Sequence, residues 1–247
     1  MRTDDHRIPF DGDPGETGAP AKSLLAAAAM TGYWPPALAF YWPALREALA
    51  VEAHTRSGAG FALTFDDGPH EEGTPAVLEI LARAGTTATF FLVGEQALRR
   101  PALVREIAAA GHEIGIHCQR HRNLLRLAPR QVRADLEMAA AVIEELAGRP
   151  LRLYRPPYGI LNATALRVAR ERGWRTVLWS HWGRDWERAA TAGSIVSLMV
   201  RDVGQGSIGL LHDSDAYGAS GSWRNTVGAL PLLLEELSGR GLELASL

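Results

Sequence analysis

Phe61-Ala62-Leu63-Thr64-Phe65-Asp66-Asp67-Gly68-Pro69 is an apolar, β-type run that ends in two carboxylates and a Gly-Pro turn. Short runs of strand-forming residues recur down the chain, at 61–65, 87–93, 113–116, 152–155, 175–179, 208–211 and 242–245. Between most of them, apolar residues repeat at three- and four-residue steps. Val132, Leu136, Ala139, Ile143 and Leu146 form one such series, and Val227, Leu230, Leu234 and Leu237 another. That spacing predicts helices. Pro75, Pro101 and Pro129 stand where helices should begin, and Gly85, Gly111, Gly148 and Gly173 where they should end. Strands alternating with helices predict a parallel sheet in an α/β fold.

The polar residues decide how that sheet closes. Asp66 and Asp67, His117, Arg155, residues 180–186 and His212 each follow the end of a different predicted strand. The strand ends of an α/β barrel converge on one face, whereas an open sheet spreads them along an edge. Convergence favours an incomplete (β/α) barrel of about seven parallel strands, with its active site at the C-terminal strand ends.

At 247 residues and 47% hydrophobic, the chain can bury one sizeable core. The net charge of −2, with basic residues scattered among the helices, gives a nucleic-acid partner no support. Cys118 is the only cysteine, which excludes an intrachain disulfide. We divide the chain into an N-terminal tail and arm, 1–57, and a catalytic domain, 58–247. Residues 1–21 read as a polar, mobile tail. Residues 23–45 carry no charge, long enough to raise a membrane span, but Thr31, Gly32 and Pro35-Pro36 interrupt them. Asp4, Asp5, Asp11, Asp13 and Glu16 stand where a secretory signal carries basic residues. Two readings of this arm stand: packing against the domain, or membrane contact through residues 23–45. Tyr33, Trp34, Phe40, Tyr41 and Trp42 suit either.

Asp66 and Asp67 are adjacent, so in a regular strand they would point to opposite faces. The Gly68-Pro69 break can bend the backbone and bring both to one cavity. Two acids so close repel if both ionise; a cation on one relieves this and leaves the other as a base. The plain alternative is a polar Asp-Gly turn. His117 and His121 lie four residues apart, a spacing that on a helical turn suits a single metal ion. With Asp67 they form a two-nitrogen, one-oxygen donor set that leaves positions open for water and substrate. Cys118, between the histidines, reads as a packed residue. Arg155-Pro156-Pro157-Tyr158-Gly159 makes a rigid loop, able to fix a backbone N–H for an oxyanion, and Arg155 can orient a carboxylate. His212 can donate a proton to a leaving group.

Together, TFDDGP at 64–69, His117-x3-His121, RPPYG at 155–159 and LLHD at 210–213 resemble the motifs of the polysaccharide deacetylases, carbohydrate esterase family 4 (the NodB-homology domain). The resemblance spans about residues 60–247. It implies a distorted, incomplete (β/α) barrel that removes acetyl groups from N-acetylated or O-acetylated sugars with a divalent metal, zinc first, with cobalt, nickel or manganese as alternatives. It implies Asp66 as base and Asp67, His117 and His121 as metal ligands. Arg155 would steady the base, the Tyr158 N–H would meet the oxyanion, Leu211 would line the acetate pocket, and His212 would be the acid. Trp186 fits a groove wall. An acetylated glycan is the implied partner, and that substrate class points to the cell envelope or a membrane-associated site. This chain departs from the pattern at Cys118, where the family has Ser or Thr, and at Trp182, where an Asp normally tunes the acid histidine. Asp185 or Asp213 is expected to orient His212 instead. Trp182, Trp186 and Trp223 offer faces for sugar stacking. The rival readings are a hydrolase of cyclic amides such as ureides on the same scaffold, and a catalytically silent carbohydrate-binding homologue.

Overall fold

The computed structural model describes residues 34–247. The expected tail at 1–21, and the start of the uncharged stretch, lie outside the described residues. Among the described residues there are eight strands: β1 Val51–Glu52, β2 Phe61–Asp66, β3 Thr89–Val93, β4 Glu113–Cys118, β5 Leu153–Tyr154, β6 Arg175–Val177, β7 His181–Trp182 and β8 Ser207–His212. They form one sheet in the order β1-β6-β5-β4-β3-β2-β8-β7. Every pairing is parallel. The helices are α1 Pro43–Leu49, α2 Gly73–Arg83, α3 Gly94–Arg99, α4 Pro101–Ala109, α5 Pro129–Ala147, α6 Ala163–Glu171, α7 Ala192–Met199 and α8 Trp223–Gly239.

Strand alternation separates two apolar layers. Phe61, Leu63, Phe65, Ile114 and Ile116 face the helices and join the large core with Val77, Leu81, Leu136 and Ile143. Ala62, Phe91, Leu153, Val177 and Ile208 face the other way and meet in a small inner cluster. Those five residues come from β2, β3, β5, β6 and β8, and only a curled sheet brings them together. Gly115 on β4 helps the curl, because a Cβ there would lie 2.5 Å from the Phe91 ring. The two edge strands, β1 and β7, leave the barrel open. An incomplete, distorted (β/α) barrel is thus the fold.

Pro101 and Pro129 each open a helix, and Gly148 caps one in the left-handed region at φ 68°. Two strands were not foreseen. β1 and β7 are two residues long, too short to display alternation. The run at 242–245 is not a strand, and only a bridge between Phe61 and Leu244 joins it to the sheet. β2 is already paired with β8 along its length and with β3 from Thr64 onward, which leaves room for little else. The sheet begins at β1, ahead of the boundary drawn at residue 58. Before it come a 3-10 turn, Pro35–Phe40, and α1. Among the described residues, no helix is long and apolar enough to cross a membrane.

At the base of the barrel, His112 is buried, its ring 5.3 Å from that of Phe90. Its Nδ1 accepts the Ala88 N–H at 3.2 Å, a bond that protonation would break. Burial lowers its pKa below the ordinary 6.5. The contribution of this histidine is therefore complete above pH 6.5 and is lost as pH falls through the lower folded value. Thermal melts from pH 7 down to 5 should show a falling midpoint, with a shallower fall in His112→Gln. Equal slopes would assign the acid sensitivity to other groups.

Candidate active site

The polar strand ends converge at one mouth of the barrel. Asp66 ends β2 on its inner face, in line with Ala62 and Thr64. Asp67 follows with φ 76°, so the bend starts one residue earlier than the Gly-Pro turn. That left-handed step turns the second carboxylate into the cavity holding the first. Gly68 is kept free of a side chain by Asp213, whose carboxylate would lie 2.5 Å from a Cβ there. Asp213 itself accepts a hydrogen bond from Thr74. Burial, above all, pushes it up to about 7.

His117 is carried by β4, and His121 by the loop after it. The expected helical turn is therefore corrected: a strand end and a bend bring the two imidazoles together. Asp135 on α5 holds this bend, accepting the Gln119 N–H at 2.7 Å and the Arg122 guanidinium at 2.6 Å. Cys118 points to the helix side and is fully buried.

Asp67 Oδ1 lies 3.5 Å from His117 Nε2 and 3.4 Å from His121 Nε2. One ligand atom from each of the three residues lies within 4.8 Å of the others. The His117 Nδ1–H donates to the Arg155 carbonyl at 2.7 Å, which leaves the Nε2 lone pair facing the cavity. His121 is stacked on Tyr217 at 4.4 Å and set edge-on to Tyr158 at 4.5 Å. Burial lowers its pKa to about 4, so it is neutral at pH 7, the state a ligand needs. Burial alone would raise Asp67, but the surrounding imidazoles, His117 and His212 above all, outweigh it and hold the carboxylate near 2. Asp67 Oδ1 is buried without a hydrogen-bond partner. An orphaned carboxylate oxygen beside two imidazole nitrogens is what a divalent cation would satisfy.

Asp66 is held differently. Arg155, with no exposed surface, donates to its Oδ1 at 2.8 Å and to Thr64 Oγ1 at 2.7 Å. The other oxygen lies 3.9 Å from His117 Nε2.

His212 ends β8, its Nε2 3.8 Å from Asp67 Oδ2. Its Nδ1 pairs with Asp185 Oδ1 at 2.9 Å. The other oxygen of Asp185 accepts the His212 backbone N–H at 2.6 Å and the Thr226 hydroxyl at 2.7 Å. Of the two carboxylates offered by the sequence, Asp185 is the one that grips His212. Burial opposes the imidazolium, but Asp185 and the Asp67 and Asp66 charges prevail and raise it to about 10.

A cleft of about 560 Å³ opens over these groups. Tyr158, Trp182 and Trp186 line it, and Trp186 stands edge-on to His212 at 5.3 Å. Tyr158 adopts φ 59° in the turn after Pro156 and Pro157. Leu211 does not reach the cleft. It is fully buried on the helix side, and Leu210, two residues from His212, faces inward. Trp223 is also outside, packed near His70 at 5.7 Å. Sequence reasoning missed Tyr217 and Trp179, which line the cleft but carry no motif, and Ala37 and Leu38 of the arm.

The polysaccharide deacetylase family model matches residues 53–177. A peptidoglycan-N-acetylglucosamine deacetylase of Bacillus cereus is 38% identical over 184 residues, 73% of this chain and 82% of that protein. A chitooligosaccharide deacetylase of Sinorhizobium fredii is 38% identical over 201 residues, 78% of this chain and 93% of that one. The fold matches the crystal structure of a peptidoglycan N-acetylglucosamine deacetylase with a TM-score of 0.75 at 32% identity, covering 81% of this chain and 92% of that one. The chain belongs to the polysaccharide deacetylase family.

Proposed function

We propose that this enzyme, a hydrolase of N-acetylated sugars, acts on N-acetylglucosamine oligosaccharides, with Asp66 as base and His212 as acid. The relatives named for peptidoglycan and chito-oligosaccharides support the sugar. A cleft of about 560 Å³, the size of a small-ligand pocket, supports a short oligomer. The observation that carries the reading is the unpartnered Asp67 Oδ1 between two imidazoles, set beside an arginine-held Asp66.

Asp67, His117 and His121 would hold the divalent metal, zinc by preference for nitrogen donors. When bound there it supplies a Lewis acid that activates water and polarises the acetyl carbonyl. Asp66 takes the proton of the attacking water. Its Oδ1 is occupied by Arg155, so Oδ2 is the acceptor. The Tyr158 N–H, fixed by Pro156 and Pro157, meets the developing oxyanion. His212 carries its proton on Nε2 while Asp185 holds Nδ1, and delivers it to the departing sugar nitrogen. Water and acetamide thereby become acetate and free amine. Leu210 takes the acetate-pocket role first assigned to Leu211, and Trp186 forms a wall.

Acetate release from acetylated chito-oligosaccharides, peptidoglycan and xylan, alongside ring opening of ureides, with chelator and with zinc, cobalt, nickel or manganese restored, tests this reading. Chelator-sensitive release from chito-oligosaccharides is expected; cleavage of ureides alone would sink it. Asp66→Asn should lower kcat by about 10²–10⁴-fold while zinc binding by calorimetry survives. Loss of zinc in step with activity would mean that Asp66 and Asp67 have exchanged roles. Asp185→Asn should lower kcat at least about tenfold with little change in KM, and Thr226→Val should do the same more weakly. An increase in KM alone would remove Asp185 from the acid side.

A further inference from the structure

The 3-10 turn of the arm builds part of the catalytic cleft. Ala37, Leu38, Phe40 and Tyr41 line it together with the metal-site residues and His212. The family match begins at residue 53, so this wall comes from sequence ahead of it. Its seat is specific. The Phe40 ring stacks on Trp182 at 5.2 Å with planes 8° apart, and leans on Trp179 at 5.3 Å. Gly159, at φ 69°, leaves the room, since a Cβ there would meet Phe40 Cδ2 at 3.2 Å. Arg46 donates to the Phe40 carbonyl at 2.9 Å, and Ala39 is fully buried beneath.

Outward from this seat the surface is apolar. Leu38 is 54% exposed and Tyr41 81%, and the neighbouring Trp34 and Trp42 are 49% and 58% exposed. Exposed apolar clusters of this kind mark binding surfaces. Among the lining side chains of the arm, only the Tyr41 hydroxyl can hydrogen-bond. Sugar hydroxyls left against such a wall would lose their hydrogen bonds to water without replacement. Aromatic rings can take a sugar face, but Leu38 beside them fits hydrocarbon better. The continuity of this wall with the catalytic cleft makes the substrate its occupant.

We infer that residues 37–41 form a subsite for a hydrocarbon group attached to the acetylated sugar, so that the substrate is an amphiphilic glycoconjugate. This rests on the deacetylase reading and narrows its substrate. The test uses the full chain loaded with zinc and the methyl, butyl and octyl β-glycosides of N,N′-diacetylchitobiose, below their micelle concentrations. Each methylene that the wall covers should lower KM by about fourfold. A fall of at least about tenfold from methyl to butyl is therefore expected. Leu38→Asp changes an exposed side chain and leaves the Phe40 seat in place. In this variant, and in Phe40→Ala, the methyl-to-octyl ratio of KM should collapse toward one, with folding checked by thermal melts. Equal KM values for the three glycosides in the parent, or an unchanged ratio in Leu38→Asp, overturn the subsite while leaving the deacetylase reading intact. No acetate from any of the three overturns both.

Discussion

The buried guanidinium of Arg155 is the interaction on which the rest of the site depends. A cation without solvent must find its partners in the protein, and this one finds four. It donates to Asp66, to Thr64, and to the carbonyls of Val177 and Leu178, with the Phe91 ring 4.0 Å beneath. Removing one partner of such a buried pair costs about 3–5 kcal/mol, because the remaining charge is stranded. The same residue works through its backbone, since its N–H binds the Ile116 carbonyl and its C=O accepts from His117. One side chain therefore ties β2 to the end of β6, and one peptide unit sets the tautomer of a histidine on β4.

From this follows a division between the two neighbouring carboxylates. Asp66 lies on the strand and is immobilised by Arg155 through one oxygen, which leaves the other free to face the cavity. Asp67 escapes strand geometry through a positive φ, a conformation that Asp tolerates better than most residues. The turn behind it is fixed by the Val93 N–H on the Gly68 carbonyl at 3.0 Å and by Asp213 filling the space beside Gly68. The chain thus obtains two acids in one cavity with different surroundings, one paired with an arginine and one surrounded by imidazoles.

The parallel sheet and its convergent strand ends were legible because polar residues interrupt apolar runs at a regular place. The donor set was legible because Asp67, His117 and His121 carry chemistry by residue type. The path between the histidines was not. Four-residue spacing fits a helix equally well, and the bend at Gln119 is held by partners distant in sequence, Asp135 on its N–H and the Glu95 N–H on its carbonyl. Leu211 was carried over from the motif match without applying strand alternation back from His212, which puts Leu210 on the inner face. β1 and β7 stayed hidden because two residues carry no period, and 242–245 looked like a strand because pattern cannot reveal that β3 takes the edge of β2 from Thr64 onward and leaves Leu244 only a bridge to Phe61. Trp223 shows the limit of residue type: an indole can stack on a sugar, yet this one packs near His70.

Trp182 looked like a defect in the acid half of the site, since a carboxylate was expected there. Asp185 resolves it by approaching His212 from beyond β7, binding both its ring and its backbone N–H, with Thr226 securing the second oxygen. Once the carboxylate is delivered from position 185, position 182 no longer has to be acidic. It is then free to carry a large ring at the edge of the barrel, where β7 pairs with β8 and the arm comes across. The stacking of Phe40 on Trp182 uses that freedom. A single displacement of the acidic partner along the chain therefore does two things: it keeps the imidazole oriented, and it turns the vacated position into the anchor for an apolar wall of the cleft.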